Sequence, residues 1–350
     1  MKLSTTINYA GDVKGMVDEV GALEQAGLDA VWIPEAYSFD AISIMGYLAA
    51  RTEKIEIGSA IVNVYSRTPT LLGMTFAGLD YVSGGRIHCG LGASGPQVIE
   101  GFHGLPYEKP MQRIKEVIEV CRQVWRREVI DYHGQVVDIP LPAGEGTGLG
   151  KPLKLINHPV RSSIPVWWAS LKGKSVEATA EVADGWIPVF YVPEKADLVW
   201  GDALELGRRK RPPELGPLQI LAGGAVRITE DADTITKVLD AGRPQAALYV
   251  GGMGARGKNF YNDIMSSYGW EAEAKEIQDL YLDGKKEEAA ARIPRTYLEG
   301  ASLVGPKSFV QERVAAYAES GVTYLQLGLS GSLEQKLGTV EAMRAIVDEL

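Results

Sequence analysis

The stretch Gly84-Gly85-Arg86-Ile87-His88-Cys89-Gly90-Leu91-Gly92-Ala93-Ser94-Gly95 joins a short apolar run to a G-x-G-x-x-G pattern. This pattern is typical of a dinucleotide-binding fold when a helix opens at the third glycine and an acidic residue closes the next strand, about 20 residues on. Here Pro96 begins a stretch predicted to be irregular as far as Pro110, and the first acidic residue, Glu100, lies within it. We therefore interpret the pattern as the glycine-rich end of a middle strand, which suggests a flat ligand close to the backbone.

The same arrangement recurs along the chain: an amphipathic helix ends, a turn follows, and a short apolar strand begins. Gly27 ends a helix predicted over 13–26, and the next strand is apolar without alternation, as parallel strands covered on both faces are. Eight units of strand and helix predict a (β/α)8 TIM barrel of the α/β class, because open doubly wound sheets usually have fewer strands. The predicted strands are 3–7, the run that ends near Glu35, 55–61, 87–91, 165–169, 186–189, 218–226 and 322–329.

A single domain over residues 1–350 is expected, since barrels of this length are common. Two segments exceed the minimal barrel. The first, 128–163, contains Tyr132-His133-Gly134 and a Gly/Pro-rich run, which predict a hairpin and loop before the fifth strand. The second, 251–305, carries apolar residues at helical spacing and predicts a helical lobe between strands seven and eight. Insertions on the C-terminal face of a barrel form lids and substrate walls.

Composition excludes several classes of partner. The net charge of −9 and the pI near 5.2 argue against nucleic acid, whose binding depends on excess lysine and arginine. Cys89 and Cys121 form no disulfide framework and lack metal-ligand spacing, so we expect reduced core cysteines and no metal site. No signal-like stretch precedes the first strand, and no apolar run reaches the roughly 18 residues of a membrane span. A cytoplasmic protein without a membrane partner is expected.

Candidate site residues are those at the carboxyl ends of the strands, where barrel enzymes have their active sites. These positions contain no G-x-S-x-G pattern, no metal-ligand cluster and no His/Asp/Glu trio. One acid, small hydroxyls, an amide and backbone groups suit an enzyme whose cofactor carries the reaction. The predicted cofactor-binding residues are Ala60, Ile61, Asn63, Ala93, Ser94, Ser170, Leu171, Lys172, Gly173 and Pro188.

Two features of these strand ends are open to alternative interpretations. The segment from Ser170 to Ser175 opens the fifth helix with free N–H groups, a hydroxyl and two ammonium groups, which suit a phosphate; the alternative is an ordinary first helical turn with exposed lysines. Glu35 is the candidate catalytic acid, base or hydrogen-bond anchor, and the alternative is a salt-bridged carboxylate. Among the histidines, His88 is expected to be a core residue, and for His103 a structural role is favoured over a catalytic one.

Several motifs together resemble the luciferase-like flavin and deazaflavin superfamily, in the branch of coenzyme F420-dependent oxidoreductases similar to methylenetetrahydromethanopterin reductase. The motifs are 27–32 (Gly-Leu-Asp-Ala-Val-Trp), 57–69, Gly84-Gly85-Arg86 with Gly90-Leu91-Gly92, and 181–186 (Glu-Val-Ala-Asp-Gly-Trp). The resemblance implies a barrel, usually a homodimer, that binds F420 at the C-terminal mouth and acts on a small-molecule substrate. It also implies that the cofactor phosphate lies near the start of helix five.

The resemblance further implies hydride transfer between the substrate and C5 of the deazaflavin, whose ring would lie against the end of strand three and the glycine segment of strand four. It implies a cis peptide bond between Ala60 and Ile61. Many relatives carry Asp-His at the end of strand two, where this chain has Glu35 and Ala36, so the histidine's role has no counterpart here. Two alternatives remain open: an FMN-dependent luciferase-like monooxygenase, and a flavin-binding protein without turnover.

Overall fold

Eight parallel strands close into a barrel in this computed structural model, which describes residues 1–7 and 11–350. Around the barrel the order is β1-β2-β3-β5-β8-β9-β10-β12, and β12 pairs with β1. This closed sheet confirms the predicted TIM barrel, with all eight predicted strands present. The strands are β1 (Lys2–Thr6), β2 (Ala30–Ile33), β3 (Glu56–Ser59), β4 (Val62–Asn63), β5 (Ile87–Gly92), β6 (Tyr132–His133), β7 (Asp138–Ile139), β8 (Val166–Ala169), β9 (Gly185–Ile187), β10 (Gln219–Ile228), β11 (Leu303–Gly305) and β12 (Tyr324–Gly328).

Helices cover the outside of the barrel, and their ends follow the sequence signals. The side chain of Asp12 caps α1, and Gly27 follows that helix with a φ of 101°, which glycine adopts without strain. The helices are α1 (Val13–Gln25), α2 (Ala41–Arg51), α3 (Pro69–Ser83), α4 (Pro96–Ile99), α5 (Pro110–Trp125), α6 (Gly173–Val182), α7 (Ala196–Lys210), α8 (Ala232–Asp240), α9 (Arg243–Ala247), α10 (Phe260–Ser267), α11 (Glu271–Leu282), α12 (Lys286–Ala291), α13 (Arg295–Gly300), α14 (Lys307–Glu319) and α15 (Leu333–Asp348).

Large aromatic side chains fill the barrel interior. Trp32 and Trp167 are fully buried, with ring centroids 5.0 Å apart, and Tyr324 packs edge-on against both. Glycines make room for them, because a Cβ at Gly58 would overlap the ring of Trp32 and one at Gly185 would overlap that of Trp167. The barrel is therefore a packed core, and space for a ligand is left at its ends.

The end of β3 is tied to β5 by reciprocal hydrogen bonds. The hydroxyl of Ser59 donates to the carbonyl oxygen of Gly90 at 2.8 Å, and the N–H of Gly90 donates back to that hydroxyl at 3.0 Å. Directly after Ser59 the peptide bond between Ala60 and Ile61 is cis, as predicted. The third strand was predicted to run unbroken over 55–61; it instead stops at Ser59 and resumes as the two-residue β4, which pairs with β5.

The first two glycines of the G-x-G-x-x-G stretch are needed for a different reason from the one predicted. A Cβ at Gly90 would overlap the carbonyl oxygen of Ser59, and one at Gly92 would lie 2.8 Å from Cδ1 of Ile61. Both glycines therefore make room for the neighbouring strand β3 and the turn after it, and not directly for a flat ligand. The expectation of an irregular stretch after Gly95 was also wrong at its start, because Pro96 begins the one-turn helix α4, where its fixed φ is favourable.

Both predicted insertions contain the expected elements. Strands β6 and β7 form an antiparallel hairpin within 128–163. Helices α10 to α13 lie within 251–305, and α10 and α11 contain the apolar residues at helical spacing that predicted them. The short strand β11 at the end of this lobe was not predicted, and it pairs with the C-terminal half of β10.

Substitution of Gly90 by alanine tests the contact that fixes the end of β3. Because the new methyl group would meet backbone atoms of Ser59, which cannot rotate away, we expect Gly90→Ala to lower the free energy of unfolding by about 3 kcal/mol or more. Gly338→Ala in α15 is the matched control, since its Cβ would meet nothing within 4 Å, and it is expected to gain about 0.5–1 kcal/mol from helix propensity. Urea unfolding monitored by circular dichroism measures both; equal stabilities would contradict the account.

Candidate functional site

The predicted cofactor-binding residues lie at the ends of consecutive barrel strands. Ala60, Ile61 and Asn63 follow or belong to β3 and β4, Ala93 and Ser94 follow β5, the segment 170–173 follows β8, and Pro188 follows β9. These strands are neighbours in the barrel, so the residues form one arc of its C-terminal rim. Glu35 follows β2 and extends the arc on the other side. We name this set the cofactor arc.

Two tryptophans fix the backbone where β8 leads into α6. Nε1 of Trp186 donates to the carbonyl oxygen of Ser170 at 3.0 Å, and Nε1 of Trp200 donates to that of Leu171 at 2.9 Å. The hydroxyl of Ser170 faces inward, where it lies 2.8 Å from Oγ1 of Thr179, and the residue is only 4% exposed. Ser170 was predicted to hold the phosphate with its hydroxyl; since that group is already bonded and buried, we correct this expectation.

The N-terminus of α6 remains open. A Cβ at Gly173 would meet nothing within 4 Å, so its backbone can be approached by a ligand. The first N–H groups of a helix have no partners inside the helix, and its dipole favours an anion there. Lys172 is exposed at this point, and its ammonium lies 3.6 Å from the ring centroid of Phe260 in the lobe. The donors and charge at this helix end fit a phosphate group.

The rim at β3 to β5 is built from small side chains and fixed turns. Oδ1 of Asn63 accepts hydrogen bonds from the N–H groups of Tyr65 and Ser66, at 3.0 and 2.8 Å, so this amide holds the turn after β4. Ser94 has a φ of 57°, and its carbonyl oxygen accepts a hydrogen bond from Tyr107. Ala60 and Ala93 are half-buried. This part of the rim offers backbone and methyl groups to a flat ring.

Glu35 is a salt-bridged carboxylate. Arg67 donates to both of its oxygens, at 2.7 and 2.8 Å, and the N–H of Ala41 donates to one of them at 2.9 Å. The hydrogen bond to Glu35 raises the pKa of Arg67. Because both oxygens are engaged, the geometry supports an anchoring role, in which Glu35 joins the end of β2 to the turn after β4. We therefore assign Glu35 the role of an anchor and not that of a catalytic acid or base.

His88 is a core residue, as expected from its place within β5. Nε1 of Trp167 donates to Nδ1 of His88 at 2.8 Å, and Nε2 of His88 lies 3.3 Å from a carboxylate oxygen of Glu56. Nδ1 is thus an acceptor, and the proton belongs on Nε2. His103 lies in the segment between α4 and α5, and its Nε2 has no hydrogen-bond partner in the part of the chain that the structure describes.

The opposite half of the mouth contains a cavity of about 460 Å³ between the barrel and the lobe. It is bounded by the ends of β1, β9, β10 and β12 and by residues of α8, α9 and α13. Pro188 belongs both to its lining and to the cofactor arc. Most of these lining residues were not identified in the sequence analysis. Gln326 gave a detectable signal, because it is a polar residue inside the apolar run of the eighth predicted strand, which is β12.

Within residues 1–7 and 11–350, no group of three or more His, Cys, Asp or Glu side chains is placed to hold a metal ion. Over the same ranges, no helix has the length and apolar character that crossing a membrane requires. Cys89 and Cys121 are free and buried, as predicted.

A model of the luciferase-like monooxygenase family matches residues 1–324. The chain belongs to this family. It is 37% identical over 344 residues to a protein of Mycobacterium tuberculosis named as a coenzyme F420-dependent oxidoreductase, and the match covers 96% of each chain.

Two further similar proteins are named as reductases that act with a tetrahydromethanopterin compound. The chain is 24% identical over 318 residues to the 5,10-methylenetetrahydromethanopterin reductase of Archaeoglobus fulgidus, covering 87% of this chain and 86% of that one. The structure of the coenzyme F420-dependent tetrahydromethanopterin reductase of Methanopyrus kandleri superimposes with a TM-score of 0.78 at 21% identity, covering 98% of this chain and 96% of the other. At that identity the superposition establishes the shared barrel fold.

Proposed function

We propose that the protein is a coenzyme F420-dependent oxidoreductase that transfers a hydride between the deazaflavin and a small organic substrate. The observation that carries the proposal is the 37% identity, over nearly the whole of both chains, to a relative named for this cofactor. The open N-terminus of α6 and the small side chains of the cofactor arc support it, because they fit a phosphate and a flat ring. When bound, F420 supplies a ring carbon, C5, that accepts or gives up a hydride.

The chain's own residues have binding and positioning roles in this proposal. Lys172 and the backbone N–H groups from Gly173 onward hold the phosphate, and the tryptophan-bonded carbonyls of 170 and 171 keep that helix end in place. Ala60, Ile61, Ala93 and Ser94 support the ring with backbone and small apolar groups. The pair of Glu35 and Arg67 fixes the rim beside them. A site preorganised in this way orients the reacting faces and excludes water.

A titration with the two possible cofactors tests the proposal. We expect the purified protein to bind F420 with one site per chain and more tightly than FMN, because its full-length relative is named for F420. Quenching of F420 fluorescence and of FMN fluorescence gives both dissociation constants. Stoichiometric FMN binding without F420 binding would replace the proposal by an FMN-dependent monooxygenase, and binding without turnover of any alcohol or imine substrate would favour a carrier of the cofactor.

Lys172→Ala tests the phosphate anchor. Removing one charge-assisted contact is expected to weaken F420 binding roughly tenfold to a hundredfold while the circular dichroism spectrum stays unchanged. Lys174→Ala is the matched control, since Lys174 is an exposed lysine two residues further along the same helix. Unchanged F420 affinity in Lys172→Ala would place the phosphate elsewhere, and an equal loss in both variants would show that the two ammonium groups share it.

We also propose that two copies associate through the outer face of α3. The exposed positions of this helix are apolar: Leu71, Met74, Tyr81 and Val82 are between 46% and 72% exposed. Its sole charged residue, Asp80, is buried and bonded to Arg161. A helix face without charge on a chain of net charge −9 is typical of a surface covered by another copy.

Sedimentation velocity tests this interface. The parent is expected to sediment at twice the chain mass of 37.9 kDa, and Met74→Glu combined with Tyr81→Glu is expected to sediment as a monomer, since carboxylates would then be buried at the contact. Leu198→Glu is the control: it replaces one of the exposed leucines of α7 and should leave the dimer intact. A monomeric parent, or a dimeric double variant, would contradict the proposal.

A further inference from the structure

The cavity on the opposite half of the mouth from the cofactor arc carries no charge. Among the described residues that line it there is no Asp, Glu, Lys, Arg or His. An ionised ligand group placed there would lose its hydration without gaining an opposite charge, which costs several kcal/mol. The lining therefore selects against carboxylates, phosphates and ammonium groups.

Aromatic rings form one wall of this cavity. Phe190 stacks on Tyr297 with ring centroids 5.7 Å apart and an angle of 21° between the planes, and it contacts Tyr249 at 5.7 Å. Phe190 has a φ of 57°, a conformation that is rare for a bulky residue. The hydroxyl of Tyr268 donates to its carbonyl oxygen at 2.9 Å, which holds it there. Apolar side chains continue the wall: Val238, Leu239, Ala246 and Leu298.

One polar group of the lining lacks a partner. Ser302, in the link between α13 and β11, is 4% exposed, and its hydroxyl has no hydrogen-bond partner in the described part of the chain. A buried hydroxyl left unpaired costs about 1–3 kcal/mol, so a ligand that bonds to it gains what the free protein lacks. Gln326, a half-buried amide of the lining, is already bonded to Thr6, to whose Oγ1 its Nε2 donates at 3.0 Å.

We propose that this cavity binds a neutral, mainly apolar organic molecule whose one hydroxyl or carbonyl group bonds to the hydroxyl of Ser302. Its place beside Pro188, at the border of the cofactor arc, makes it the substrate side of the mouth, a role that rests on the proposed function. The aromatic wall packs the carbon skeleton, and Ser302 sets its orientation. A volume of about 460 Å³ admits a molecule of one or two fused rings.

A binding assay with a fluorescent probe and the full chain, carried out in the absence of cofactor, tests this inference. The probe is 6-propionyl-2-(dimethylamino)naphthalene, a neutral aromatic ketone whose emission shifts to the blue in apolar surroundings, and competitors displace it. We expect a saturable blue shift, displacement by 2-acetylnaphthalene, and displacement by 2-naphthoate that is at least tenfold weaker. The absence of a saturable shift, or equal competition by the naphthoate, would overturn the inference.

The role of Ser302 is tested by a pair of competitors that differ in one oxygen. Ser302→Ala is expected to weaken 2-acetylnaphthalene roughly threefold to tenfold and to leave the hydrocarbon 2-ethylnaphthalene unchanged, because only the ketone accepts the hydrogen bond. Ser163→Ala, at an exposed serine before β8, is the control and should change neither. Equal losses for both competitors, or none, would contradict the role of Ser302.

An F420 titration of the same samples keeps the two proposals apart. Loss of F420 binding with probe binding intact contradicts the proposed function and leaves the neutral cavity standing. F420 binding in a protein that does not take up the probe overturns the cavity inference alone.

Discussion

The contact between Ser59 and Gly90 is the constraint on which the shape of the barrel mouth depends. Because residue 90 has no side chain, the end of β3 lies against β5 closely enough for the Ser59 hydroxyl to bond to both the carbonyl and the N–H of Gly90. The chain then turns over the cis peptide bond to Ile61, whose side chain occupies the space above Gly92. A bulkier residue at either glycine would push the rim outward and displace the surface that the ring is proposed to use.

The mouth that results has two chemically different halves. On the side of β8, a helix end with free N–H groups and a lysine provides positive potential, and buried tryptophans hold its backbone. On the side of β10 and β12, the cavity is lined by aromatic and aliphatic groups without a charge among the described residues. This division suits a reaction in which an anionic cofactor is held by its phosphate while a neutral partner enters from the other half. The lobe joins the two, since Phe260 contacts Lys172 and Tyr297 stacks on Phe190.

The barrel could be predicted from the sequence because its signals are local. A glycine after an amphipathic helix and an unbroken apolar run recur in several units, as at Gly27 and β2. The site was harder to predict from the sequence, because contacts between distant segments decide what each side chain can do. The carboxylate of Glu35 is engaged by Arg67 and the hydroxyl of Ser170 by Thr179, so neither group has the role that was predicted for it. Ser302 gave no signal, since its importance comes from a missing partner that only the packed lobe reveals.

A crystal structure of the protein with F420 is the measurement that tests the central claim most directly. The account predicts that the phosphate lies on the N–H groups at the start of α6 beside Lys172, with the ring against residues 60–61 and 93–94 and one face open toward the cavity of Phe190 and Ser302. A cofactor bound at the N-terminal end of the barrel, or a ring that fills that cavity while the cofactor arc stays empty, would contradict it.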